Sequence, residues 1–346
     1  MKKKVVIGLS GGVDSSVALH LLQEQGYECI GVTMKVWEGT DTDDAKLLAE
    51  KFGIPYYVVD FKEQFKNKVQ DYFVNEYLAG RTPNPCTVCN RYVKFEALIS
   101  VADEVGADFV ATGHYARIAK LENGRYTLMK TPTAIKEQTY ALFRLSQEQL
   151  ARTLMPVGEY TKDEIRNIAR SMGLSVADKP DSQEICFIPD NDYAGFIGRH
   201  TGKESILGNF VDVNGKILGQ HNGIIHYTVG QRKGLNLSLG HPAFVVALRP
   251  ETNEVVIGTN EDVFSDTLYA GDINYMGLEK IPEGGITATG KIRYAHAGAV
   301  CRATVQPDGR MKVVFDEPQR AITPGQAIVL YDNDKVLLGG TILRQG

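Results

Sequence analysis

The stretch Val5-Val6-Ile7-Gly8-Leu9-Ser10-Gly11-Gly12-Val13-Asp14-Ser15-Ser16 constrains this chain more than any other. Val5 to Ile7 is a short β-branched run of the kind buried in a parallel sheet. A glycine turn follows, then a helical period of Val17, Leu19, Leu21 and Leu22 that stops at Gly26. Strand, glycine turn and helix together aim backbone N–H groups and a helix N-terminus at a phosphate. Glycine is required because a Cβ would hold the anion away from the main chain. No Gly-Lys-Ser/Thr closes the turn, so it is not the ordinary P-loop. It is expected to hold a pyrophosphate through backbone and hydroxyl donors, with Asp14 positioning a Mg²⁺ on the same phosphates.

The run Ser10 to Ser15 resembles the signature of the PP-loop ATP pyrophosphatases. Those enzymes cleave ATP between the α- and β-phosphates and adenylylate a carbonyl or carboxylate oxygen. The resemblance implies that Gly8, Leu9, Ser10, Gly11, Gly12, Val13, Asp14 and Ser15 bind ATP. The chain that follows supports such a fold. Strands are expected at 29–34, 56–59 and 109–111, alternating with helical patterns at 45–52, 61–79 and 95–102. This β–α rhythm predicts an α/β fold, with a parallel sheet covered on both faces. Ligands in such sheets lie beyond the carboxyl ends of the strands, so Met34 and Gly113 are expected to flank an adenine. The segment Arg81 to Cys86 carries Pro83 and Pro85 and is expected to be non-helical.

Beyond about Thr201 the character changes to short β-branched runs with frequent turn signals: Asn214-Gly215, Gly284-Gly285, Asp308-Gly309 and Pro324-Gly325. The expected organisation is a PP-loop (adenine nucleotide α-hydrolase-like) domain over residues 1–200, a small β-rich central domain over 201–272 and a C-terminal β-barrel over 273–346. Residues 116–129 read as a β-hairpin around Glu122-Asn123-Gly124, while Ser146 to Gln149 and Thr161 to Glu164 read as capping boxes. No apolar run approaches the roughly 20 residues that span a bilayer. Five cysteines in a chain of 346 residues do not suggest a secreted disulfide scaffold, and a cytoplasmic location is expected. The formal charge of −4 argues against binding a polyanion over the whole surface. Yet residues 77–95, 213–250 and 284–307 contain no Asp or Glu while carrying several Lys and Arg, enough for one electropositive face.

Cys86 and Cys89 form a Cys-x-x-Cys, and Cys186 lies in Asp181-Ser182-Gln183-Glu184-Ile185-Cys186-Phe187. On spacing alone the pair suits a redox couple, half a zinc site or iron–sulfur ligands. Cys29 and Cys301 lie in apolar runs and read as inert core thiols.

Along its whole length the chain resembles the bacterial tRNA-specific 2-thiouridylases. The matching motifs include the pyrophosphate loop, Asn84-Pro85-x-x-x-Cys89-Asn90 with Lys94-Phe95, Thr112-Gly113-His114-Tyr115 and Lys136-Glu137-Gln138. They continue through Asp181-Ser182 with Ile185-Cys186-Phe187, Tyr227 to Leu235, Arg293-Tyr294 and Pro324-Gly325-Gln326. The resemblance implies that ATP adenylylates O2 of a wobble uridine, after which sulfur displaces AMP to leave 2-thiouridine. It implies that Cys186 accepts a persulfide, delivered by a sulfur carrier or cysteine desulfurase, and that Cys89 releases the sulfide. Asn84, Pro85, Cys86, His114, Lys136, Glu137, Gln138, Arg293, Tyr294 and Gln326 would contact the tRNA. Many relatives carry aspartate where this chain has Cys86. Two routes therefore stand open: a persulfide route ending in a Cys89–Cys186 disulfide, and a [4Fe–4S] cluster held by Cys86, Cys89 and Cys186. A PP-loop synthetase or amidotransferase acting on a small metabolite would share the first motif only.

Overall fold

The computed structural model describes residues 2–132, 136–178 and 185–344. Strand β1 (Lys4–Gly8) leads into helix α1 (Val13–Glu24), β2 (Glu28–Lys35), helix α2 (Asp43–Phe52), β3 (Tyr56–Asp60) and β4 (Phe109–Ala111). The hairpin β5 (Arg117–Lys120) and β6 (Tyr126–Met129) follows, then β7 (Thr153–Leu154). Strands β3-β2-β1-β4-β7 form one sheet in which each pairing is parallel. Val5 and Ile7 face one core with α1, while Val6 faces another with Leu98, Val101 and Val110. A strand buried on both faces alternates in this way because successive side chains point to opposite sides. The order reverses between β1 and β4, where doubly wound sheets open a crevice at their carboxyl ends.

Two stretches depart from the expected local structure. The helix over 61–79 is interrupted: Lys62–Phe65 and Asp71–Leu78 are α-helical and Lys66–Gln70 is a π turn. The proline segment is also partly helical. Pro85 opens a helix, Pro85–Cys89, whose N-cap Asn84 accepts a hydrogen bond from the Cys86 N–H at 3.2 Å. Proline is at home in a first helical turn, where its missing N–H would have had no partner. Pro83 stays outside the helix, as its geometry demands. Both expected capping boxes form, at Ser146 with Gln149 and at Thr161 with Glu164.

Strands β8 (Gly208–Asp212), β9 (Ile217–His221), β10 (Phe244–Arg249) and β11 (Glu254–Gly258) make a second sheet in the order β10-β11-β8-β9. Its apolar face is not a separate core. Phe210, Val245 and Ile257 pack with Val88, Cys89 and Val93, so the cysteine helix lies between the two sheets. The third sheet comprises β12 (Phe264–Tyr275), β13 (Ile286–Lys291), β14 (Ala299–Val305), β15 (Met311–Arg320), β16 (Ala327–Asp332) and β17 (Lys335–Ile342). Strand β12 pairs first with β15 and then, past Ala270, with β17, which closes the barrel. The barrel therefore begins at Phe264, and we place the last domain boundary there, because a cut at 272 would fall inside β12.

The hairpin β5–β6 joins this third sheet through Met129 and Lys335. Met276, Val329 and Tyr331 of the barrel share one core with Val6 and Leu98 of the first sheet. Removing the barrel would strip that core.

The three sheets also meet at a point. Thr82 donates its N–H to the Pro324 carbonyl at 2.8 Å, pairs hydroxyls with Thr228 at 3.0 Å and accepts from Gln326 Nε2 at 2.9 Å. Gly325 lies so close that a Cβ there would be 3.0 Å from the Thr82 backbone. Thr82→Val should keep the shape but lose the hydroxyl pair and leave Thr228 short of a partner. We expect a stability loss of about 1 kcal/mol, read by urea unfolding of the full chain.

Candidate active site

The loop after β1 is held from below and open above. Leu9 donates to the Val32 carbonyl at 2.8 Å and accepts from the Thr33 hydroxyl at 2.7 Å, so the exit from β1 is pinned to β2. Gly11 adopts φ +68°, and a Cβ there would lie 2.7 Å from Asp44 Cβ. Gly12 is the extended N-cap of α1 and offers no side-chain cap, while the Ser15 and Ser16 hydroxyls donate back to its carbonyl at 3.1 and 2.8 Å. The start of α1 thus presents its amides without a side-chain acceptor, as an anion site requires. Ser10 and Ser15 place their hydroxyls 3.3 Å apart beside it. Met34 belongs to the same site, its methyl 3.8 Å from where a Cβ on Gly8 would stand.

Gly113 is placed by necessity. A Cβ at this position would come within 2.7 Å of the Asp14 carbonyl carbon and the Ser15 nitrogen. The turn after β4 is therefore pressed against the backbone of the turn after β1. The next residues tie that contact to other parts of the chain. The Tyr115 hydroxyl donates to Asp14 Oδ1 at 2.6 Å, and Tyr115 and Gln138 exchange two hydrogen bonds of 2.8 and 2.9 Å.

Asp14 is more enclosed than a turn residue at a helix start suggests. Lys162 Nζ lies 2.7 and 2.9 Å from its two oxygens, and the lysine side chain is only 10% exposed. The sequence shows Lys162 only as the residue after the Thr161 cap, so its partnership with Asp14 was not legible there.

A second cluster forms around the cysteines. From Pro85 to Cys89 the chain is α-helical, from Asn90 to Lys94 it makes a π turn, and from Phe95 to Glu104 it is α-helical again. Such single π turns recur at functional sites. Asn90 holds the turn by donating Nδ2 to the Ala141 carbonyl at 3.0 Å, while its buried Oδ1 has no partner among the described residues. Cys86 and Cys186 are exposed and Cys89 is buried. Burial pushes the Cys89 thiol up to about 12, with the Lys94 charge opposing it. Cys186 reaches solvent on one side, yet the protein packed on its other side raises it too, again opposed first by Lys94. For Lys94 itself, loss of water pulls the pKa down, but the thiolate charges of Cys89, Cys86 and Cys186 outweigh this, and the net shift is upward.

His114 links the two clusters. Its ring lies over Phe95 at 6.1 Å between centroids and its Nδ1 is 2.8 Å from the Thr112 hydroxyl. Burial first, and Lys94 second, lower its pKa from 6.5 to about 3, so the imidazole is neutral. The cysteines themselves are all free thiols, with no Cys89–Cys186 disulfide. Among the described residues no three His, Cys, Asp or Glu side chains converge as metal ligands. A [4Fe–4S] cluster would instead take each of Cys86, Cys89 and Cys186 on a different iron, which a single-ion site does not describe.

The remaining expected residues fall in two places. Glu137 is buried and accepts the Thr139 N–H; its charge bears on Lys291 and Tyr294, and Tyr294 stands edge-on to Tyr140. Lys136 also bears on Tyr294, and Arg293 donates to the Arg320 carbonyl at 3.0 Å. Gln326 lies instead at the Thr82 junction. Gln138, Asn84 and Gln326 each commit side-chain atoms to the protein backbone and so frame the site. Arg232 and His241 line a shallow surface pocket. Asp181 and Ser182 lie outside the described residues. Among the described residues no helix is long and apolar enough to cross a membrane.

Comparison with known proteins places this geometry. A family model described as the tRNA methyl transferase HUP domain matches residues 3–190. The related PRC-barrel domain matches 194–259, and an aminomethyltransferase β-barrel domain matches 265–342. The chain is 58% identical to the tRNA-specific 2-thiouridylase MnmA of Lachnoclostridium phytofermentans, over 99% of this chain and 100% of that one. It is 50% identical to the protein of the same name in Clostridioides difficile and 52% to that of Carboxydothermus hydrogenoformans, each over 99% of this chain and 98% of the relative. The chain belongs to the tRNA-specific 2-thiouridylase MnmA family.

The contacts in this family member generate two expectations. Gly113→Ala must push the loop at Asp14 and Ser15 aside, so ATP affinity by calorimetry should fall at least about tenfold, with a stability loss of about 1–3 kcal/mol. The second concerns pH. An unfolded chain binds a proton at His114 near pH 6.5, whereas the native residue does so only near 3. The unfolded state thus binds more protons in that window, and native stability falls as pH drops below 6.5. In urea titrations between pH 7 and 5, wild type should lose stability faster than His114→Gln.

Proposed function

We propose that this protein is an ATP-dependent tRNA 2-thiouridylase acting on the wobble uridine in the cytoplasm. One observation carries the reading. A glycine-turn cradle at the end of β1 and a group of thiols around Lys94 are linked through Thr112–Tyr115, in a chain that is 58% identical end to end to a protein named for this activity.

In this reading ATP lies with its pyrophosphate on the amides from Gly8 to Ser15 and its adenine between Met34 and Gly113. Mg²⁺, held by Asp14 together with phosphate oxygens, would neutralise charge on the pyrophosphate; a lone carboxylate with substrate phosphates suits this hard ion. The Lys162 ammonium and Tyr115 hydroxyl fix the Asp14 carboxylate and orient it toward the loop. The uridine must leave the anticodon stack to enter. Its O2 attacks the α-phosphorus, pyrophosphate departs, and the oxygen becomes part of a leaving group. Sulfide adds at C2 and AMP leaves with the former O2.

The sulfide comes from a persulfide on Cys186, loaded by a persulfide-bearing donor protein. We favour this route over a cluster because it needs only the exposed Cys186 as acceptor and the buried Cys89 as attacker. Arg232, Lys233 and Arg293 lie in acid-free segments and would meet tRNA phosphates, with Lys136 and Tyr294 nearer the anticodon loop.

Three measurements test this. The purified protein should form AMP and pyrophosphate only when tRNA is added; release driven by a small metabolite would instead indicate a synthetase. Cys89→Ser and Cys186→Ser should each abolish 2-thiouridine, read by nucleoside mass spectrometry, and normal thiolation in either would refute the persulfide route. Replacing Arg232 or Arg293 by Ala should lower the slope of log K against log salt for tRNA by about 0.7–0.9.

A further inference from the structure

Lys94 follows Cys89 by five positions. In an unbroken α-helix, at about 100° per residue, that spacing would put the lysine roughly 140° away from the cysteine. The π turn changes this. Its Phe95 N–H to Asn90 carbonyl bond takes up one extra residue, so Lys94 returns to within about 40° of the Cys89 face. The turn is retained although the buried Asn90 Oδ1 within it has no partner among the described residues. The lysine itself is only partly exposed. Among the described residues it makes no ion pair with a carboxylate, and no Asp or Glu occurs from residue 77 to 95. The groups whose charge bears on it are Cys89, Cys86 and Cys186, and it bears in turn on His114, which is neutral. A half-buried cation with no carboxylate partner among the described residues, turned toward thiols, is poorly explained by stability alone, since a buried charge without an anion is costly.

We propose that Lys94 is the positioning residue of sulfur release, its ammonium holding the negative charge that forms on Cys89 and then on the departing sulfide. This rests on the reading that Cys186 carries a persulfide and Cys89 discharges it. In that step Cys89 gives its proton to water and the thiolate attacks Cys186 Sγ. A Cys89–Cys186 disulfide forms, and the bond from Cys186 Sγ to the outer sulfur breaks. Hydrosulfide leaves with the electron pair. The two cysteine sulfurs are oxidised and the outer sulfur is reduced, so no further oxidant is needed; a thiol reductant reopens the disulfide before the next turnover. Charge passes from one sulfur to another throughout, and an ammonium whose charge is felt at Cys89 and Cys186 serves each stage without moving. The neutral His114 carries no charge to compete with that of Lys94.

The test uses the full-length protein with Lys94→Met, Lys94→Arg, Cys89→Ser and Cys186→Ser, and ATP binding by calorimetry as the check of folding. Two readouts are taken: the rate of iodoacetamide alkylation of Cys186 at pH 7.5, by peptide mass spectrometry, and sulfide release from protein loaded with a small-molecule persulfide. Lys94→Met should alkylate at least about tenfold more slowly and release sulfide at least about tenfold more slowly, and Lys94→Arg should restore both to within about threefold. Wild-type rates in Lys94→Met overturn the proposal while leaving the cysteine reading intact. Normal tRNA thiolation by both serine variants overturns the cysteine reading itself. If Lys94→Met does not bind ATP, Lys94→Arg decides: near-wild-type rates support a role for the charge, and a tenfold loss with ATP bound normally refutes it.

Discussion

The arrangement of the site depends on the way Thr82 is held. Its backbone N–H and carbonyl go to the barrel loop at Pro324 and Gln326, and its hydroxyl goes to Thr228 of the central domain. Three residues later Pro85 begins the cysteine helix. A helix of five residues is too short to be stable alone, so its direction is set by what anchors its start and what continues its end. The anchor is the junction at Thr82, together with the Asn84 cap. The continuation is the π turn, which passes the helix into the core of the first sheet. Gly80 adds to the same constraint, since a Cβ there would press on Leu248 and Pro250 of the central domain.

This makes the three sheets parts of one device. The barrel shares core residues with the parallel sheet, the central sheet shares core residues with the cysteine helix, and the hairpin of the first domain extends the barrel. A polyanion bridging the acid-free segments of the central and C-terminal sheets would therefore load the same junction that orients Cys86 and Cys89. The electrostatics around that junction are set by desolvation. Burial raises the thiols and lowers His114, and Lys94 opposes the first effect while adding to the second. Burial is thus the first cause of the neutral histidine, and one ammonium adds to it while lowering the cost of charge on Cys89 and Cys186. On the nucleotide side Lys162 does a comparable service for Asp14, at a helix start where the positive end of the dipole favours a carboxylate as well.

The sequence by itself determined the local elements whose cause is local. The β-branched run, the double glycine and the helical period of α1 are sufficient for strand, turn and helix, and Ser146 and Thr161 announce their helices through residues three positions on. The change of punctuation after Thr201 was enough to show β-rich sheets. The tight turn at Gly11 was legible too, because its left-handed backbone needs glycine. What needed the tertiary structure was every relation between distant segments. The pairing of Asp14 with Lys162, the pressure of Gly113 on Asp14 and Ser15, and the junction at Thr82 join residues about a hundred or more positions apart, and spacing within a segment carries no record of them. The two π turns were hidden for a related reason: an extra residue in a helical turn leaves the hydrophobic period almost unchanged, and only packing decides where it is inserted. The raised thiol of Cys89 and the neutral His114 were likewise decided in three dimensions, since a side chain's charge depends on how much water its neighbours remove.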